Sequence, residues 1–349
     1  MKKTLVALTV AAIAASSANA ATLFNQNGSK LDVTGSARVM LVNTTGSRTD
    51  LQNDGSRINF KFTQKISDDL SALGHIEIRP SGDDFKGDIK TKYVYAGLKS
   101  QSVGELSFGK RKTAGDNFLL ADPSEQFTNV KGGLDIFDKG SKVINFASAD
   151  FLGFGLQGSY LFEDNASRDV DGTRNGDANG WQTLLTYNAD ISDNVNIQAN
   201  TYYSVKKQNN TLDKSNTTSH QVWGVSGAIN FFGAGLAVDY AQARQNGHRQ
   251  WSYDNNPAYP STAGKAHGIQ VAATYQLTDP MDIYTAYHSF TYGEAQGAGT
   301  GSAHVRGVVV GSHYQINKNV LTYIEYDTDK GNNGARRNNS YYAGLRVFF

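Results

Sequence analysis

The sequence has no cysteine, only five prolines in 349 residues, and no apolar run after residue 20 that approaches the ~20 residues a transmembrane helix needs. The missing cysteines exclude a small disulfide-held scaffold, so the chain must hold itself together by pairing and packing. The missing apolar runs exclude helical spans. An exported chain of this kind either stays soluble or crosses a membrane as a closed barrel, the other structure that satisfies every backbone group in lipid. Neither sign of charge dominates: 33 Lys and Arg stand against 32 Asp and Glu. Without Lys2 and Lys3 the balance is 31 against 32, a net charge of −1, which argues against a nucleic acid or another polyanion as partner. Chemical motifs are also missing. The seven histidines have no i, i+4 spacing and no cysteine beside them. The glycine-rich run Gly293 to Gly301 lacks the Lys-Ser/Thr of a phosphate loop, and no Gly-x-Ser-x-Gly elbow occurs. No enzyme activity, cofactor or metal is expected.

A removable leader opens the chain. Lys2 and Lys3 form a basic segment, Leu5 to Ala15 an apolar run too short to span a bilayer, and Ala18-Asn19-Ala20 a small-x-small cleavage site. Residues 1–20 are expected to be a signal peptide, and 21–349 a single continuous domain beginning at Ala21. Eighteen tyrosines, 17 phenylalanines and 36 glycines favour strands and turns. The last ten residues alternate strictly: Tyr341, Ala343, Leu345, Val347 and Phe349 share one face, Tyr342, Gly344, Arg346 and Phe348 the other. Such a strand, ending on an aromatic with nothing to cap it, must be paired, and in a closed barrel it pairs with the first strand. An edge strand of a soluble sandwich would alternate in the same way.

The same period recurs along the chain. Lys30 to Leu41 places Leu31, Val33, Ala37, Val39 and Leu41 opposite Asp32, Thr34, Ser36 and Arg38. In Arg57 to Lys65, Ile58, Phe60 and Phe62 alternate with cations and amides, as in a wall between lipid and water. The phase of Asp282 to Tyr292 and His304 to Tyr314 is ambiguous. Seven short turns, near 67–69, 100–104, 149–153, 189–194, 232–234, 278–282 and 317–319, take turns with eight long polar stretches, near 42–56, 80–90, 113–139, 163–180, 206–219, 244–264, 293–303 and 328–339. Fifteen connections join 16 strands with both chain ends on the short-turn side: an all-β, 16-stranded antiparallel transmembrane β-barrel of the bacterial outer membrane.

Thr113 to Asp138, the third long connection, carries Asp116, Asp122, Glu125, Asp135 and Asp138 against Lys131 alone, and more apolar residues than a solvated loop needs. A loop with its own hydrophobic residues packs on something, and inside a barrel that is the inner wall. Arg38, Arg57 and Arg79 fall on the non-lipid face of three early strands, and Lys139 is in phase with the inward Asn145. Acidic loop against basic wall would set a transverse field across a narrowed lumen. The alternative is a set of ordinary surface charges on an extracellular loop.

These residues bring a family into view. The start Ala21-Thr22-Leu23-Phe24-Asn25-Gln26-Asn27-Gly28-Ser29-Lys30-Leu31-Asp32-Val33-Thr34-Gly35, together with Arg57-Ile58-Asn59-Phe60-Lys61, Tyr95-Ala96-Gly97-Leu98-Lys99, Phe108-Gly109-Lys110 and the terminal Phe349, resembles the Gram-negative general porins. The likeness is greatest to the major porins of the Haemophilus and Pasteurella type. The resemblance implies a homotrimer of water-filled channels with the third loop folded into the lumen and lipopolysaccharide around the trimer. It also implies that the terminal strand, with Tyr341, Leu345, Val347 and Phe349, is the signal for the barrel-assembly machinery. Arg57, Lys110 and Lys139 match basic wall positions of the family, whereas strict alternation from Leu106 and Phe108 turns Arg111 inward in place of Lys110. Where the family reads Pro-Glu-Phe-Gly-Gly-Asp, this chain reads Asn129-Val130-Lys131-Gly132-Gly133-Leu134-Asp135. Asp135 is therefore carried over as the loop acid, with Glu125 and Asp122 as further candidates. The expected function is passive diffusion of small hydrophilic solutes; a substrate-selective channel and a structural or adhesive surface barrel are the alternatives.

Overall fold

The computed structural model describes residues 21–163, 175–210, 217–246, 264–293, 303–331 and 337–349. The expected leader, the glycine-rich run beyond Gly293, and parts of the last five expected long connections lie outside these residues.

Eighteen strands occur in chain order. They are β1 (Ala21–Gln26), β2 (Ser29–Thr44), β3 (Asp50–Asn53), β4 (Arg57–Lys65), β5 (Leu70–Pro80), β6 (Ile89–Ser100), β7 (Gly104–Lys112), β8 (Lys139–Ser148), β9 (Phe154–Glu163), β10 (Asn175–Ser192), β11 (Val195–Asn210), β12 (Thr217–Phe231), β13 (Ala234–Asn246), β14 (Lys265–Thr278), β15 (Met281–Tyr292), β16 (Ala303–Asn317), β17 (Val320–Gly331) and β18 (Asn338–Phe348). Each strand from β4 onward pairs antiparallel with the next, β4 pairs with β2, and β18 closes the ring on β2 from Ser340↔Thr44 to Phe348↔Ser36. β2 together with β4 to β18 therefore makes a closed barrel of 16 strands. β3 is a short ribbon on β2 within the first long connection. β1 pairs with the start of β2, from Gln26↔Ser29 to Ala21↔Val33, in line with β18, and Phe349 just past β18 exchanges both backbone hydrogen bonds with Gly35 (2.8 and 3.0 Å).

All seven short connections form where they were expected. Phe232-Gly233 has φ of 46° and 81°, the positive pair that a two-residue hairpin turn requires and that glycine adopts without steric cost. Several strands run further than the expected ~10 residues per crossing. β10 begins at Asn175 and β11 reaches Asn210, inside stretches expected to be loops. Backbone pairing continues there although the sequence is polar throughout, so no apolar alternation marked these stretches as strand.

The outward face is apolar and solvent-accessible, as lipid-facing walls are: Val238, Val271, Val310, Leu345 and Val347 each stay at least two-fifths exposed. Odd residues point outward in β15 and even ones in β16, which settles the phase of both segments. Their sequences were ambiguous because the inner face is apolar too, with Tyr284, Ala286, Phe290, Val305 and Val309 buried beneath the third long connection.

Candidate pore constriction

The connection from β7 to β8 lies along the inner faces of the strands facing it across the ring. A 3-10 turn at Ala114–Asn117 and one helical turn, α1 (Val130–Gly133), give it local form, with the Asn129 side chain capping α1 by accepting from the Gly132 amide. Its Phe118, Val130, Leu134 and Ile136 bury completely or nearly so against Leu184, Tyr202, Val222, Phe290 and Tyr292 of the wall, and Phe127 packs near Tyr284 and Val309. Burying an apolar side chain of this size contributes roughly 1.5–3 kcal/mol, so the seat is held mainly by hydrophobic contact. Wall glycines permit the close approach: a Cβ on Gly224 would lie 2.4 Å from the Phe118 ring.

Polar clamps fix the register. The Asp239 carboxylate accepts from the Leu120 and Ala121 amides (2.9 and 3.0 Å), and the Glu325 carboxylate from the Glu125 and Gln126 amides (2.8 and 3.0 Å). Gln270 accepts from the Val130 amide and donates to the Ala121 carbonyl, while Asn200 donates to the Phe118 carbonyl. Backbone groups of a loop without a ladder are thus satisfied by wall side chains.

Where the loop meets β17, β18 and β2, charges converge. Arg346 donates to Glu125 of the loop (2.5 Å) and to Asp54 of the first connection (2.7 Å). His313 bridges Glu125 (3.2 Å) and Asp282 (2.8 Å). Burial pushes the Glu125 carboxyl up, but the His313 hydrogen bond and the Arg346 charge outweigh it and hold the group at about 2. Arg38, Arg57 and Arg79 all stand on the inner wall. Arg79 pairs with Glu77, whereas Arg38 donates to Ser36 (2.7 Å) and Arg57 to the Gly55 carbonyl (3.0 Å). Among the described residues, no carboxylate lies within ion-pair distance of Arg38 or Arg57, so both guanidinium groups keep an uncompensated charge. Gly55, at φ +72°, sits between the arginines: a Cβ there would lie 3.3 Å from Arg57 Nη2 and 3.6 Å from Arg79 Nη1.

The remaining candidates fall elsewhere. Lys110 points outward with Phe108 and Val94 and donates to the Thr91 carbonyl, so it is not part of the inner wall. Arg111 is the inward residue, paired with Glu105 and placed 4.6 Å from the Tyr95 ring centroid. Alternation, and not the family likeness, fixed this choice; Gly109, at φ +136° beside a register shift, accommodates it. Asp116 and Asp138 flank Lys131 (3.3 and 3.6 Å), with Lys112 on Asp116 and Lys139 on Asp138. These five charges largely neutralise one another at the root of the loop. Asp122 turns back onto Asn129 and Ser124 within the loop; burial pushes it up to about 6 despite those hydrogen bonds. Asp135 sits in the αL turn after α1 (φ 50°), its backbone against His220 of β12 and away from the arginines. Glu125 takes the place expected of Asp135, because α1 ends in a tight turn that carries residue 135 to the far wall.

Arg346, Asp54, His313 and Glu325 were not singled out by sequence. Arg346 was legible as the one charge on the inner side of the terminal strand. The other three stand on the strands and the connection neighbouring Arg346, and the loop crosses the ring to meet them.

A closed antiparallel barrel with an apolar exterior and a charged interior is a membrane channel of the β-barrel class. The chain belongs to the Gram-negative porin family, whose model matches residues 7–334. It is 32% identical to the major outer membrane protein of Pasteurella multocida strain Pm70 over the full length of both chains, and 26% identical to outer membrane porin F of Salmonella typhimurium, covering 93% of this chain and 91% of that one. Among solved structures it resembles the Salmonella typhi OmpF complex with daunomycin (TM-score 0.72, 20% identity, 93% and 99% of the two chains) and an anion-selective porin from Comamonas acidovorans (TM-score 0.71, 13% identity, 92% and 100%).

Proposed function

We propose that the protein is a passive outer-membrane channel for small hydrophilic solutes and ions, narrowed where the third long connection meets the arginine wall. The observation that carries the reading is Arg346 held between Glu125 of the loop and Asp54 of the first connection, with the charges of Arg38 and Arg57, which have no carboxylate partner among the described residues, beside it. The charges of Arg38 and Arg57, which have no carboxylate within ion-pair distance among the described residues, stand beside the ion-paired Glu125 of the loop and set a local field at the passage. A dipolar solute can align with that field and exchange its water for fixed donors and acceptors; an apolar one gains neither. Cleavage after Ala20, a homotrimeric assembly, a surrounding of lipopolysaccharide, and recognition of Tyr341, Leu345, Val347 and Phe349 by the barrel-assembly machinery belong to the same reading. A trimeric form is described for OmpT of Vibrio cholerae, a structural neighbour (TM-score 0.70). In planar bilayers, Arg57→Ser is expected to move the reversal potential under a salt gradient toward cation preference. An unchanged reversal potential would remove Arg57 from the constriction.

A further inference from the structure

The first long connection, between β2 and β4, finishes inside the barrel. After β3 its last four residues, 53–56, form a turn against the inner wall beside Arg38, where Asn53 is buried and the Asp54 side chain is 9% exposed. Polar side chains of an ordinary surface connection stay in water, whereas these are bonded throughout. Asn53 donates its backbone amide to the Asp83 carbonyl (2.8 Å) and its Nδ2 to the Gly82 carbonyl (3.4 Å), and its Oδ1 accepts from the Ser56 amide (3.0 Å). The second long connection thus backs the turn from behind.

On one side the turn grips the arginine wall. Arg38 falls between the β2–β4 ladder, which ends at Ser36, and the β2–β3 ladder, which begins at Val39, so its backbone needs other partners. The turn supplies them: the Asp54 amide donates to the Arg38 carbonyl (3.2 Å), and the Ser56 hydroxyl accepts from the Arg38 amide (2.9 Å) and donates to its carbonyl (3.1 Å). The Gly55 carbonyl accepts from Arg57 (3.0 Å). On its other side the same turn grips the tip of the β7–β8 loop. Asp54 Oδ1 accepts from the Gln126 side chain (3.0 Å), and Oδ2 from Arg346 (2.7 and 2.8 Å), which also binds Glu125. Arg38 and Arg346 stand directly opposite each other in the β2–β18 ladder, a like-charge pair that repels. Asp54 engages Arg346 on the side of the loop and leaves Arg38 to the passage.

We infer that the turn of residues 53–56 is a catch that holds the tip of the third long connection against the wall and so keeps the passage open. Asn53 and Asp54 are positioning residues: Asp54 acts through Gln126, Arg346 and Glu125, and Asn53 acts through Asp54. The inference rests on the channel reading above and extends it, since the first connection then governs how steadily the third stays clear of the lumen. Glu325 holds the tip by its backbone, and Asp54 with Arg346 holds it by its side chains. A tip freed from Asp54 has the wall behind it and only the lumen to move into, where it obstructs the passage for as long as it stays.

The test uses the full protein in planar bilayers with potassium chloride as the only solute, and reads how often an open channel closes. Loss of hydrogen bonds to a charged acceptor shifts an opening equilibrium about tenfold or more, so Asp54→Ala is expected to raise the closing frequency by about that factor. Asn53→Ala touches neither the loop nor any charge, yet it is expected to raise the frequency roughly threefold to tenfold because the turn loses its backing. Asp54→Glu restores the carboxylate and is expected to close less often than Asp54→Ala. Migration as an SDS-resistant barrel checks that each variant folds; where a truncation does not, Asn53→Asp, which removes only the donor to Gly82, takes its place with the same direction of change. Unchanged closing frequencies in folded variants overturn the proposal. A rise in Asp54→Ala with none in Asn53→Ala or Asn53→Asp overturns it too, because the effect would then belong to the ion pair and not to the turn. A wild type that does not conduct would fail the channel reading, whereas a conducting wild type with insensitive variants would fail the catch alone.

Discussion

Glu125 is the side chain on which the loop, the far wall and the terminal strand all converge, and its environment makes a pH dependence calculable in sign. Its side chain is 9% exposed, and its carboxyl is held at about 2 in the folded protein against an ordinary value of 4.5. A depressed carboxylate adds stability that is complete above the unfolded value and lost as pH falls through the folded one, so the window runs from about 4.5 down to about 2. By linkage the full contribution is roughly 3 kcal/mol. The difference in melting temperature between wild type and Glu125→Gln is therefore expected to be constant from pH 7 to about 4.5 and to vanish near pH 2. A difference that does not change across that range would mean that His313 and Arg346 do not stabilise the charged form. Among the described residues, Arg38 and Arg57 have no carboxylate within ion-pair distance whereas Arg79 and Arg346 do, and that difference decides which of them project charge into the passage.

At the scale of the element, the connection from β7 to β8 owes its place to two independent kinds of contact. Hydrophobic burial of Phe118, Val130, Leu134 and Ile136 supplies most of the adhesion, while Asp239 and Glu325 each hold two consecutive amides and set the register. Hydrogen bonds to a charged acceptor contribute about 1.5–3 kcal/mol, or roughly 10- to 150-fold in an opening equilibrium. In Asp239→Ala, hydrogen exchange at Leu120 and Ala121 is expected to accelerate by about that factor, with Glu125 and Gln126 unaffected; Glu325→Ala should give the mirror result. Uniform acceleration over all four amides would mean that the loop opens as one unit and that the clamps do not act locally. The amphipathic composition of this loop was legible in the sequence, as was its acidity. Which acid meets the arginines was not, because that depends on where α1 turns the chain.

For the whole molecule, the decisive contact is ring closure. The Phe349 ring lies across Gly35 so closely that a Cβ there would fall 2.4 Å from it, and the two residues exchange both backbone hydrogen bonds. Gly35→Val is expected to lower sharply the yield of folded, SDS-resistant barrel on refolding, and more so than Gly264→Val, where nothing lies within 4 Å of the added Cβ. Equal yields would show that Phe349 can seat elsewhere. Strand number, the seven tight turns, the lipid-facing side of most strands and the inward position of Arg38, Arg57, Arg79 and Arg111 were all readable from period-two alternation, because a wall between lipid and water imprints that period on every crossing. Alternation failed where the sequence is polar throughout, as at the start of β10 and the end of β11, and where both faces are apolar, as in β15 and β16 beneath the loop. The sequence by itself thus determined that this chain is a closed, water-filled ring and which residues look into it. Only the tertiary structure decided which of those residues meet: Glu125 of the loop reaches Arg346 and His313 of the opposite wall, and no local pattern encodes a contact made across the width of a barrel.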